Sequence, residues 1–125
     1  MTTGNDPITV RGIRITSADR LVFPDAGVTK GGIARHYDRV AKRLLHTAAD
    51  HPASLVRCPS GLPEGCFYQK HAAKGWPAEM PVLPIREASG EVEDYLCLSD
   101  AASLLAAVQM GTVEFHVWGA SRDRL

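Results

Sequence analysis

A chain of 125 residues that is 45% hydrophobic, with 14 Lys/Arg balancing 14 Asp/Glu, has the length and apolar content of one domain, residues 1–125, burying about two thirds of its unfolded surface. That excludes a disordered polyelectrolyte. The apolar runs are too short for a bilayer, and residues 1–7, a flexible lead, lack the basic start and apolar stretch of a secretory leader, so the chain reads as cytoplasmic with no membrane partner.

In chain order, residues 8–16 alternate apolar and polar and read as one half-buried strand with Gly12 as a bulge. Residues 17–30 read as loop, turning at Phe23-Pro24-Asp25-Ala26-Gly27. Thr29 is a fitting N-cap for a helix over 30–49, in which Ile33, Tyr37, Val40, Ala41, Leu44, Leu45 and Ala48 form an apolar stripe opposite Arg35, Arg39, Lys42 and Arg43. The cations near its end suit the helix dipole better than a direct nucleic-acid contact, and His36 and His46 read as surface or boundary residues. His51-Pro52 ends the helix, and 53–57 is an apolar strand.

A hairpin over 55–71 follows. Pro59-Ser60-Gly61 and Pro63-Glu64-Gly65 supply its turns, and Cys66-Phe67-Tyr68 its second limb. Strand alternation puts Phe67, Gln69 and His71 on one side and Tyr68 and Lys70 on the other, so each face shows an aromatic ring beside hydrogen-bonding groups. A ring beside cationic donors suits an unpaired base and its phosphate, although core and edge packing also accounts for it. After a loop over 72–81 carrying Trp76, strands at 82–85 and 93–98 turn around Ala88-Ser89-Gly90. Ser99-Asp100 caps a helix over 101–110 that is apolar all round, hence either buried or covered by something further. Residues 113–118 form a last strand and 119–125 a tail.

Four motifs in order carry a resemblance. Arg57-Cys58-Pro59-x-Gly61 with Phe67-Tyr68-Gln69-Lys70-His71 is similar to the R-C-P-x-G … F-F-Q-K-H signature of the polymerase module of bacterial DNA ligase D, a member of the archaeo-eukaryotic primase group. Ser17-Ala18-Asp19-Arg20-Leu21-Val22-Phe23-Pro24 and Gly27-Val28-Thr29-Lys30 resemble its upstream motifs. Leu104-Leu105 with Gln109-Met110-Gly111 and Glu114-Phe115-His116-Val117-Trp118-Gly119 resembles its downstream L-L-x-x-x-Q-x-G-x-x-E-x-H-x-W-G.

The resemblance implies an α/β (α+β) fold with a mixed or antiparallel sheet carrying two helices. The implied function is binding of 5′-phosphorylated DNA ends and template in non-homologous end joining, in a cytoplasmic, nucleoid-associated protein. Arg20 and Lys30 would hold the 5′-phosphate, with the helix start at Lys30 adding free N–H groups and a positive dipole end. Phe67 and Tyr68 would stack on the template, and Arg57, Lys70 and His116 would face nucleotide or backbone phosphates. The family's nucleotidyl transfer uses Mg²⁺ or Mn²⁺ on a D-x-D pair, and no D-x-D occurs in this sequence. We therefore expect no catalytic residue and no metal or cofactor on this chain alone. Partners implied are DNA ends, the missing polymerase half or a ligase, and a homo-oligomer if the apolar helix is uncovered. The alternative is a DNA-binding or assembly protein without catalysis.

Charge supports a nucleic-acid face. Residues 1–74 hold 11 Lys/Arg against 6 Asp/Glu, whereas residues 75–125 hold 3 against 8, although an ordinary mixture of solvated charges accounts for this too. Three cysteines fit a reducing compartment better than a disulfide framework. Zinc on Cys58, Cys66 and His71 with Cys97 or His116 lacks a close C-x-x-C pair, a Cys58 nucleophile would need His71 or His116 as its base where a small buried hydrophobe is the commoner role, and Glu91, Glu93 and Asp94 read as a charged strand entry.

Overall fold

The computed structural model describes residues 6–60, 65–72 and 75–119; the hairpin tip at 61–64 and most of the expected lead and tail lie outside them. The long helix α1, Lys30–Ala48, starts where Thr29 Oγ1 accepts the Gly32 N–H at 3.0 Å, and it buries Ile33, Ala34, Ala41 and Ala48. The short helix α2, Ala101–Gln109, begins with a reciprocal cap. Asp100 Oδ1 accepts the Ser103 N–H at 3.0 Å, and Ser103 Oγ accepts the Asp100 N–H at 3.3 Å.

Every residue of α2 from Ser103 to Val108 is buried. The helix lies against α1 and the Ile13–Ile15 strand, so the chain itself covers the apolar surface that would have called for self-association. Leu104, Leu105 and Val108 meet Ile15, Leu55, Leu96 and Leu98 in one core.

Among the described residues the strands form four small antiparallel sheets, one of three strands and three of two, rather than the single sheet expected. In the N-terminal region, β1 (Ile8–Val10) and β2 (Ile13–Ile15) make a tight hairpin. Its two turn residues, Arg11 and Gly12, have φ of 52° and 79°, the both-positive geometry of a two-residue hairpin turn. This corrects the reading of 8–16 as one bulged strand. The expected loop over 17–30 likewise contains a small ladder of β3 (Leu21–Phe23) and β4 (Val28–Thr29) around a 3-10 turn at Pro24–Ala26.

The central ladder runs β6 (Phe67–Gln69), β5 (Ala53–Arg57), β9 (Thr112–Val117). A fourth pairs β7 (Val82–Arg86) with β8 (Val92–Leu96) and meets the central ladder through bridges at His71–Tyr95 and Pro52–Cys97. The α+β class and both helices are as expected.

The cysteines differ from expectation. Cys58 and Cys66 form a disulfide, with Cα atoms 4.3 Å apart. The cause is register: Arg57 lies opposite Phe67, so Cys58 and Cys66 are the next facing pair as the limbs leave the ladder. Their sulfurs are thereby removed from any zinc set. Cys97 is a buried thiol with Sγ 3.6 Å from the Leu98 carbonyl.

Candidate nucleic-acid interface

Arg20 and Lys30 are brought together by a backbone stitch. The Lys30 N–H donates to the Arg20 carbonyl at 2.9 Å, and the Gly31 N–H to the Ala18 carbonyl at 2.7 Å. Glycine suits this approach, because a Cβ at position 31 would sit 3.1 Å from that Ala18 oxygen and 3.3 Å from the Ala18 Cβ, tight enough that the neighbours would have to give. The stitch revises one expectation. The first three N–H groups of α1, on Lys30, Gly31 and Gly32, are all taken by the protein itself, so the free helix amides expected at this end are not available.

The Lys30 side chain lies in a crevice walled by Val22, Ile33, Val108 and Val113, with Arg20, Cys58 and Thr112 completing the lining. Lys30 is 4% exposed. Burial first, and then the neighbouring Arg20 charge, push its ammonium down from 10.5 to about 8. No ion pair among the described residues involves either cation. Arg20 Nε and Thr112 Oγ1 are buried with no hydrogen-bond partner among the described residues. Lys30, Arg20 with its orphaned Nε, and the orphaned Thr112 Oγ1 thus line one apolar crevice with no counter-charge among the described residues. Thr112 was not foreseen, since a threonine opening a strand carries no signal in the sequence.

A second cluster gathers on the core-side face of the hairpin. Arg57 Nε donates to the Met110 carbonyl at 2.7 Å and Nη1 to Gln69 Oε1 at 2.6 Å. Its guanidinium lies 5.2 Å from the Phe67 ring centre and 5.4 Å from that of Trp76. Burial lowers the Arg57 pKa. Two donors of Arg57 are thus engaged by protein and its guanidinium lies beside both rings, of which Phe67 remains 44% exposed. This cluster adjoins the crevice, because the Cys58 N–H donates to the Gly111 carbonyl at 2.8 Å, one residue from Met110 on one side and Thr112 on the other.

The opposite face of the same ladder carries Tyr68 and His116. Tyr68 is 72% exposed, its ring edge-on to His116 at 5.7 Å, and His116 Nε2 lies 2.9 Å from Glu114 Oε2. Phe67 and Tyr68 therefore offer two stacking surfaces back to back, not one. Lys70 stands apart from both, its ammonium 5.8 Å from the Tyr95 ring centre. Beside it the Tyr95 hydroxyl and His71 Nε2 both contact Glu87 Oε2. The Tyr95 hydrogen bond, with smaller help from His71, holds the Glu87 carboxyl below its usual range, and the same bond raises the Tyr95 phenol.

Among the described residues no group of three or more His, Cys, Asp or Glu gathers to hold a metal ion. The described residues therefore do not assemble a ligand set that fits the metal of the family module.

The model of the LigD primase-polymerase domain family matches residues 29–125. The chain belongs to that family. It is 36% identical over 115 residues to the multifunctional non-homologous end joining protein LigD of Pseudomonas aeruginosa, covering 91% of this chain and 14% of that protein. It is 30% identical over 105 residues to the Mycobacterium tuberculosis LigD, covering 84% and 14%. The polymerase domain of M. tuberculosis ligase D, solved in complex with DNA, superposes with a TM-score of 0.78 at 28% identity, over 84% of this chain and 36% of that one. The chain thus spans about one seventh of the LigD proteins it matches. Lys30, Arg57, Phe67, Tyr68, Lys70 and His116 fall within the LigD match and Arg20 precedes it. No helix among the described residues is long and apolar enough to cross a membrane.

Proposed function

We propose that this chain is the end-binding part of a LigD-type polymerase module and grips the 5′-phosphate of a DNA end during non-homologous end joining. One observation carries the reading: Arg20 and Lys30 share a crevice with no counter-anion among the described residues, beside orphaned Arg20 Nε and Thr112 Oγ1. The solved ligase D relative bound to DNA supports it.

A phosphate dianion at the crevice mouth accepts from Lys30 Nζ, Arg20 Nε and Thr112 Oγ1, and moves the Lys30 pKa back up by supplying the missing opposite charge. The crevice holds little more than one water, about 10 Å³, so Arg20 turns outward to meet the phosphate, a rotamer change of the kind common on binding. Beyond the end, Phe67 and Tyr68 stack on bases on their separate faces. His116 and Lys70 face backbone or nucleotide phosphates, and Arg57 acts mainly by holding Phe67 in place. Transfer of a nucleotide belongs to the metal-binding remainder of such a module, and that remainder or a ligase is the partner this reading implies.

Fluorescence anisotropy on recessed-end DNA carrying a 5′-phosphate or a 5′-hydroxyl tests the reading. The phosphorylated end should bind more tightly, and Lys30→Gln should erase the difference. Equal binding of the two ends by the wild type would overturn it.

A further inference from the structure

Arg39, Lys42, Arg43 and His46 line one shallow depression on the outer face of α1. All four are exposed, and their i, i+3, i+4, i+7 spacing makes them a single stripe. The helix dipole does not account for it. Its effect fades within the last turn, where His46 is the basic residue, while Arg39, Lys42 and Arg43 come before. Nor is the stripe an ordinary mixture of paired surface charge. Asp38 is the single acidic residue of α1, and it is bound by Arg11 from the β1–β2 turn. No ion pair among the described residues involves any of the four.

We infer that this stripe is a second nucleic-acid contact, which holds the phosphate backbone of the duplex behind the bound end. The inference rests on the end-binding reading for its ligand, DNA; at about 100° per residue the stripe faces the side of α1 opposite the buried Lys30. At 1.5 Å per residue, Arg39 lies about 14 Å and His46 about 24 Å along the axis from Lys30. A duplex rising 3.4 Å per base pair covers that distance in about four to seven pairs. Three arginine and lysine side chains on three phosphates add about 2.7 to the salt slope.

The test is an anisotropy titration of 5′-phosphorylated recessed-end DNA with duplex lengths of about 4 and about 12 base pairs. The proteins are the wild type and the triple variant Arg39→Gln, Lys42→Gln and Arg43→Gln, whose exposed positions and good helix propensity keep the fold, checked by thermal melting. The wild type should gain affinity on the longer duplex. The variant should lose that gain, and its affinity should fall about 40-fold less than that of the wild type between 50 and 200 mM salt. It should still prefer a 5′-phosphate over a 5′-hydroxyl. A variant with unchanged length dependence and salt slope overturns the stripe as a DNA contact, including the case in which it serves an acidic protein. A wild type indifferent to the 5′-phosphate, with a slope that still falls in the variant, overturns the end-binding reading and leaves the stripe standing.

Discussion

Replacing Lys30 by methionine should make the free protein more stable while removing its preference for a 5′-phosphate. The side chain keeps nearly the same length, so the crevice stays filled, and the buried charge disappears. Holding the ammonium in an apolar crevice beside Arg20 lowers its pKa from 10.5 to about 8, which at about 1.4 kcal/mol per pH unit sets an upper bound of about 3 kcal/mol on the cost to folding. Solvent reaching the ammonium tip reduces this to about 2 kcal/mol.

The pH dependence has a definite sign. Below about pH 8 the lysine is protonated in both folded and unfolded chains, so the full cost is present. Between about 8 and 10.5 the folded chain has released a proton that the unfolded chain still binds, so wild-type stability rises relative to the variant. Urea unfolding at pH 7 should place the Lys30→Met midpoint about 1–2 M higher, and the gap should close as the pH approaches 10.5. A variant that is less stable at pH 7, or a gap that stays constant across that window, would refute the account of Lys30 as a strained anion ligand.

Other perturbations follow from the same geometry. Cys66→Ser removes a link closing a loop of sequence separation 8 and should lower stability by about 2–3 kcal/mol without reductant; with reductant the variant and wild type should unfold together. Gly111→Ala places a Cβ 3.0 Å from the Pro59 Cα at a φ of +89°, so differential scanning calorimetry should show a Tm lower by several degrees. Phe67→Ala and Tyr68→Ala should each weaken single-strand binding by about 1–3 kcal/mol in anisotropy titrations. Because the two rings occupy opposite faces of β6, the double variant should show the sum; strong non-additivity would mean they stack on one base after all.

The parts of the fold that the sequence announced are those with a local cause. Thr29 caps α1 and accepts from Gly32, His51-Pro52 ends it, and Asp100 with Ser103 starts α2, each a matter of a few neighbouring residues. The N-terminal hairpins were missed for a physical reason. With three-residue strands, β1 and β2 are too short to show a period, and their turn places Arg11 at positive φ, where Asn or Asp would have been the recognisable signal. The Cys58–Cys66 pairing was missed because it depends on the β5–β6 register, which the sequence does not fix by itself.

The candidate site shows the same division. Arg20 and Lys30 were legible as cations flanking a turn, and the family motifs singled them out. What makes them a site was not legible: the close approach at Gly31 that joins Ala18 to α1, and the apolar crevice in which Thr112 meets them across more than eighty residues of chain. The stitch decides the chemistry in two ways. It consumes the helix N–H groups that would otherwise serve an anion, and it holds Lys30 in an apolar crevice where the neighbouring Arg20 charge adds to the cost of burying its ammonium. A lysine held in this way is destabilising while the crevice is empty, so the folding stability of the free protein and its affinity for a phosphorylated end should move in opposite directions when Lys30 is neutralised.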